Sequence, residues 1–294
     1  MRRWAKPPTV RQNFDIAFAE PAVFDSKYSL GFKVYDTYRS YDEYDWHARG
    51  GRLTLGRSIG EFFRGFFTFK HETVDVSDVA EDASPSIKEQ EGSSVTNSLQ
   101  LTMIRDSRDN FFNPTTGNRT VLSGEYAGGF LGGDNYFTKV TAESGQYVPL
   151  WWKLVFLLRG RIGMVEGFDG REVPVYERFF VGGIYSVRGF ELRSIGPKDI
   201  NGDPVGGHSE LVFNTEVIMP INEQQGINLV VFFDAGNAWR QGQSISLSDL
   251  RTGAGLGIRW LSPMGPFRLE WGWNLSPQGD EPKGDWAFAV GTFF

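Results

Sequence analysis

Bulky apolar residues return at every second position along nearly all of this 294-residue chain. Phe14, Ile16 and Phe18 share one face of a stretch whose other face is Asn13, Asp15, Ala17 and Ala19. Tyr28, Leu30, Phe32 and Val34 stand against Ser29, Gly31, Lys33 and Tyr35, and Trp152, Leu154, Phe156, Leu158 and Ile162 against Lys153, Arg159 and Arg161. A period of two is the signature of a β-strand, and helical spacing does not compete with it here. About thirteen such segments can be marked, near 12–20, 28–38, 49–58, 61–74, 95–105, 118–128, 134–149, 152–166, 207–219, 226–239, 250–262, 265–274 and 285–294. The chain is therefore read as all-β, with strands and turns throughout.

Alternation alone also fits a soluble sandwich, with the bulky face in a dry core. Three features favour a transmembrane barrel instead. Many segments reach about 10 residues, the length that crosses a bilayer as a tilted strand. Aromatic residues form 15% of the chain and gather near segment ends, as in Tyr147, Trp151 and Trp152, or Trp271 and Trp273, in the manner of aromatic girdles. Connections alternate between tight ones, such as Gly60-Glu61 and Ser262-Pro263-Met264-Gly265, and long ones, such as the acidic stretch 74–96 with Asp75, Asp78, Glu81, Asp82, Glu89 and Glu91. Short turns on one side and long loops on the other suit an outer-membrane barrel.

The composition narrows the chemistry. The hydrophobic content is 40% and the charged content 22%, far from a disordered chain and enough for one or two domains. A net charge of −6 argues against nucleic acid as a partner. With no cysteine, and with His47, His71 and His208 scattered, thiol chemistry and metal sites find no support, and no cofactor is expected. No run of about 18 apolar residues is present, and no h-region follows Met1-Arg2-Arg3. The pair His208-Ser209 is a poor catalytic dyad, because strand neighbours point to opposite faces. An enzyme is not expected. GAGLG at 253–257 lacks the helix a dinucleotide fold needs; its glycines read as a smooth lumen wall.

The stretch RFFVGGIYSVRGFELRSIGP, 178–197, lies in a long connection from about 166 to 206. Gly182, Gly183 and Gly189 allow sharp turns, and Phe180, Tyr185 and Phe190 offer apolar anchors, so this loop is built to pack. A guanidinium carried into a lumen needs carboxylates, and the alternation puts Glu216 and Asp234 on inward faces of neighbouring strands.

The residues VRGF, Val187, Arg188, Gly189 and Phe190, resemble the signature of the bacterial outer-membrane protein assembly factor family, the BamA-type insertases and their TamA relatives. FNTEVIMPI, VVFFDAGNAW and LGIRWLSPMGPFRLEWGW follow in that family's order, and FDIAFAEPAVF and LTMIRDSRDNFFNPTTGNR upstream look like its earlier strands, so the likeness covers almost the whole chain. It implies contacts of Arg188 with Glu216 and Asp234, which are expected to pin the loop and stiffen one wall, leaving a softer seam beside the last strand. In DWAFAVGTFF, Trp286, Phe288, Val290 and Phe294 share one face, both a seam strand and the C-terminal mark by which such barrels are assembled.

The resemblance further implies a bacterial outer-membrane protein that inserts and folds unfolded β-barrel clients without covalent chemistry. Its partners would be outer-membrane lipids, those clients, and accessory lipoproteins that bind POTRA domains. A TamA-like autotransporter assembly factor, a two-partner secretion exporter and a passive porin are the alternatives. The family barrel has sixteen strands after its POTRA domains, whereas thirteen segments and no such domain are visible here. Residues 1–294 are accordingly expected to form a single antiparallel transmembrane β-barrel domain that begins partway into the family barrel.

Overall fold

The computed structural model describes residues 11–41, 44–81, 83 and 85–291. Thirteen strands form one antiparallel sheet in strict chain order among these residues. They are β1 (Arg11–Glu20), β2 (Tyr28–Ser40), β3 (Asp45–Ile59), β4 (Phe63–Ser77), β5 (Gly92–Asp106), β6 (Gly117–Ala127), β7 (Phe137–Pro149), β8 (Val155–Gly167), β9 (Ser209–Asn222), β10 (Ile227–Trp239), β11 (Arg251–Ser262), β12 (Gly265–Asn274) and β13 (Gly284–Val290). Each marked segment corresponds to one strand. Within the described residues β1 pairs with β2 alone and β13 with β12 alone, so the sheet keeps two edges. Thirteen strands stand against the sixteen of the family barrel.

The distribution of side chains is inverted relative to a water-soluble sandwich. Phe14, Ile16, Phe18, Leu53, Leu55, Leu101, Met103, Val140, Leu158, Val231, Phe233, Leu256, Ile258, Leu269, Trp286, Phe288 and Val290 are exposed. The opposite face carries buried Lys70, Glu72, Ser98, Arg159, Glu210, Asn214, Glu216, Asn228, Asp234, Arg259, Arg268 and Glu270. A sheet with apolar residues outside and charge within is stable only when hydrocarbon bathes the outside, and this excludes the sandwich. Phe294 lies outside the described residues.

Several boundaries and orientations differ from expectation. β3, β4 and β5 each run 15 residues, so Asp75 belongs to a paired strand and the acidic connection shrinks to 78–91. These strands continue because their ladders still find partners: Asp75 lies opposite both His47 and Ser93. Tyr147 is not part of an outer girdle but is buried on the inward face, where it pairs in register with Leu157. The segment Trp151–Lys153 is a tight helical turn rather than strand, with Trp152 and Lys153 at positive φ and both tryptophans exposed.

Connections alternate in length as the sequence indicates. β3–β4 and β11–β12 turn within a few residues at one end, while 168–208 links β8 to β9 at the other. That long segment folds back into the lumen and supplies much of what is buried there, including Val173, Val175, Val181, Val187, Arg188 and Phe190.

An arginine placed on the lipid face should reveal the direction of each strand's sides. Leu256→Arg near the middle of β11 is expected to cost about 2–4 kcal/mol, the scale for a cation near a bilayer midplane, whereas Leu256→Met is expected to be close to neutral. Urea titration in liposomes, read by heat-modifiable gel mobility, checks both.

Candidate functional site

The strand register prepares the lumen wall for the loop. Across β9 to β12, Glu216 faces Phe232, Phe232 faces Gly255 and Gly255 faces Gly272; in the next row Asn214 faces Asp234 and Asp234 faces Gly253. Val230, Gly257 and Glu270 form the row on the other side. Acids therefore surround a strip without side chains. The strip has to be bare: a Cβ on Gly253 would sit 2.1 Å from the Arg188 carbonyl oxygen, and one on Gly272 would sit 2.4 Å from the Gly189 nitrogen. Gly189 itself has φ of +88°, a left-handed conformation that favours glycine and lets the loop backbone lie flat against β12.

Arg188 fills the space so made. Its Nε and Nη2 donate to Asp234 Oδ2 and Oδ1 at 2.6 and 2.7 Å, its Nη1 donates to Glu216 at 2.7 Å and Glu270 at 2.9 Å, and its backbone N–H donates to Asp234 at 3.0 Å. The guanidinium also lies 3.6 Å from the centre of the Phe232 ring, a cation–π contact. Arg259 completes the arrangement, donating from Nη1 and Nη2 to Glu216 at 2.7 Å each and from Nε to Glu270 at 2.9 Å. All five side chains are almost fully buried.

The charges nearly balance. Arg188, Arg259 and the neighbouring Arg268 face Glu216, Asp234 and Glu270, and Arg268 also donates to the Ile184 carbonyl of the loop. Burial by itself would lower the Arg188 pKa, but the Asp234 and Glu216 carboxylates outweigh it and hold the guanidinium well above the ordinary arginine value. Arg188 is thus charged throughout the physiological pH range.

Further contacts fix the loop around this ion cluster. Asn214 Nδ2 donates to the Ser186 carbonyl at 2.6 Å and to Asp234 at 2.8 Å. Val181, Val187, Phe190 and Ile195 pack with Val212 and Ala238 of the wall. Tyr185, expected as an anchor, is instead exposed, with Arg268 5.3 Å from its ring centre; it sits where the loop turns, and Ile184 and Ser186 on either side carry the wall contacts.

Arg188, Glu216 and Asp234 are therefore brought together, and Val187, Gly189 and Phe190 flank them against the wall. Trp286, Phe288 and Val290 lie elsewhere, outward on the edge strand, with the Trp286 ring edge-on to Trp271 at 5.1 Å between centres. Sequence reasoning missed Glu270 and Arg259 as members of the cluster. Their inward face was legible; that they lie beside Glu216 depends on register across three strands.

The Omp85 superfamily domain matches residues 4–294. An outer membrane protein assembly factor BamA of Nitratidesulfovibrio vulgaris is 32% identical over 288 residues, which is 97% of this chain and 36% of that protein. A SAM50-like protein of Schizosaccharomyces pombe is 30% identical over 284 residues, 88% of this chain and 58% of that protein. Among solved structures, BamA from Haemophilus ducreyi lacking POTRA domains 1-3 superposes with a TM-score of 0.83 at 22% identity, over 96% of this chain and 62% of that one. CdiB from Acinetobacter baumannii gives 0.62 at 18% identity, over 95% of this chain and 49% of that one. The likeness to these two barrels shows a shared fold, and the chain spans less than two thirds of the length of each of the four proteins.

Removing one member of a buried ion cluster leaves the others uncompensated, typically at a cost of about 3–5 kcal/mol. Arg188→Ala is accordingly expected to lower barrel stability by that order and to open 178–197 to protease. Arg188→Lys should recover little, since an ammonium cannot span two carboxylates as a planar fork does. Gly253→Ala should free the loop as well while leaving every charge in place; limited proteolysis of the three variants in liposomes checks this set.

Proposed function

Because the chain belongs to the Omp85 superfamily, we propose that it is the barrel of an outer-membrane protein assembly factor, folding and inserting β-barrel clients. Its location is the bacterial outer membrane, and its polar-in, apolar-out wall suits that setting. The observation that carries the reading is the seating of the VRGF loop: one buried guanidinium ties the loop to acids on three wall strands, β9, β10 and β12.

Insertion of this kind needs no covalent step. A strand edge offers unpaired N–H and C=O groups, and an incoming client strand can satisfy them by augmentation. β13, with seven residues paired to β12, presents such an edge beside the stiffened wall, and Trp286, Phe288 and Val290 project from it toward lipid. A short lipid-facing band at this place would also thin the bilayer and lower the barrier to insertion. The wall held by Arg188 supplies rigidity, and the edge supplies the template. On this reading the protein is not an enzyme in the sense of breaking or making covalent bonds.

The partners of this barrel are unfolded β-barrel clients and outer-membrane lipids. Accessory lipoproteins would be engaged through POTRA domains accompanying the barrel, as the family resemblance implies. A TamA-like assembly factor or a two-partner secretion exporter would share the same fold and differ in clients. A passive porin has no use for a loop so firmly seated in its lumen.

The rate at which an unfolded barrel client folds into liposomes checks the proposal. With the protein reconstituted at the full length of its coding sequence, client folding should accelerate by at least about tenfold, equivalent to about 1.4 kcal/mol off the barrier, and Arg188→Ala should remove most of that gain. A correctly folded protein that gives no acceleration for any of several barrel clients would overturn it.

A further inference from the structure

The long loop touches a second set of charges on another part of the wall, β4 and β7, with the signs reversed. Here the loop supplies the acid and the strands supply the bases. Glu177 accepts a hydrogen bond from Lys70 of β4 at 3.2 Å and another from Lys139 of β7 at 3.2 Å, and its backbone carbonyl accepts a third from Lys139 at 2.8 Å. Lys70 also lies 3.5 Å from Glu72 and 3.4 Å from Glu125, and these two carboxylates are held in turn by Tyr35 and Ser98, each at 2.6 Å. Glu177 is shielded from water, and the two ammonium groups overcome the effect of that burial to keep its carboxyl below the usual glutamate range.

The residues around Glu177 reinforce the contact. The Tyr176 hydroxyl meets Ser94 at 3.0 Å and accepts from Asn135 at 3.1 Å, and the Val175 N–H donates to Gln90 at 2.9 Å. Val175 packs into a cluster with Tyr44, Ala48, Val74, Val76 and Ile87. Phe179, two residues on, has the Lys139 ammonium 5.2 Å from its ring centre. None of these groups belongs to the Arg188 cluster, which lies on β9 to β12.

We propose that Glu177 is a positioning residue and that the segment from Glu177 to Arg188 acts as a strut along the inside of the wall, setting the separation of β4–β7 from β9–β12. The geometry requires both ends. Between the anchors the loop keeps its own contacts, with Phe179 and Gly207 exchanging backbone hydrogen bonds and the Gly182 N–H donating to Ser186. It also lies on the intervening wall, Phe179 against Phe137 and Val165 and Val181 against Val212. Twist and register set the general curvature of such a sheet. A loop tied by a largely shielded acid at one end and a buried base at the other adds a fixed distance between two parts of it. The inference deepens the assembly-factor reading, since the separation of these two parts sets where the edge strands lie.

Distance measurement across the barrel tests the strut without reference to client folding. These 294 residues have no cysteine, so with any cysteine outside them changed to serine, cysteines at outward-facing Val140 on β7 and Leu269 on β12 can carry a pair of spin labels in the protein reconstituted at the full length of its coding sequence. A single narrow distance distribution is expected. Glu177→Gln and Lys139→Met should each broaden it, the two together no more than the larger single effect, because both break one coupled contact. Lys139→Arg, which keeps the charge, should keep the narrow distribution. Cleavage within 178–197 by protease should rise about tenfold or more in Glu177→Gln, the scale of losing a charge-assisted hydrogen bond.

An unchanged distribution in Glu177→Gln overturns the strut, and so does broadening in Lys139→Arg equal to that in Lys139→Met. Should Lys139→Met fail to fold, Glu177→Gln, nearly the same in shape, still decides. Client folding measured in the same liposomes separates this inference from the assembly reading. A broadened distance with client folding unaffected keeps the strut and removes its part in assembly. Lost client folding at an unbroadened distance removes the strut and leaves the assembly reading in place.

Discussion

A guanidinium shut away from water must have carboxylates around it, and most of the organisation of this lumen follows from that requirement at Arg188. Moving an ion into a low-dielectric interior costs several kcal/mol, offset only where geometry is close and every donor is used. Arg188 meets the condition through three acids on three strands and a ring beneath it. Those acids lie close together only if β9, β10 and β12 keep their register, so the ion cluster and the strand ladder enforce each other. Against a typical net stability of about 5–15 kcal/mol, the cost of breaking one such cluster is a large share.

The outside of the wall explains why the inside can be built this way. Lipid takes over much of the role of the hydrophobic core: most bulky apolar residues of the strands face out, and only a few, such as Phe137, Leu157 and Phe232, are buried inside. The lumen is then available for polar contacts, and the loop is seated mainly by charge, with the small apolar group around Val187 and Phe190 at one place and that around Val175 at another. Contacts of this kind are directional. They define one position for the loop, where apolar packing alone would tolerate several.

Much of this could be read from the sequence, and the division is physical. A period of two marks strands and says which residues share a face, so thirteen strands, the lipid-facing Phe, Leu and Ile, and the inward Glu216 and Asp234 were all legible. Periodicity carries no information about register, so the approach of Arg259 and Glu270 to Glu216 was not. It also says little about loops. Glu177 lies in a segment without alternation, and its partners Lys70 and Lys139 sit 107 and 38 positions away. Tyr147 misled for a related reason: aromatic residues near strand ends suggest a girdle, but whether one faces lipid or lumen is decided by a single step of phase.

The place of the loop in the chain has a consequence for how the molecule comes to exist. Glu177 finds Lys70 among residues made long before it, whereas Arg188 must wait for Glu270, 82 positions later. Both contacts span long stretches that have to be ordered first, but only the Glu270 contact needs β12. Until β12 has taken its place, Arg188 and Arg259 both lack Glu270, although Asp234 and Glu216 already hold the loop. Final locking of the loop therefore marks the moment at which the wall as far as β12 is complete.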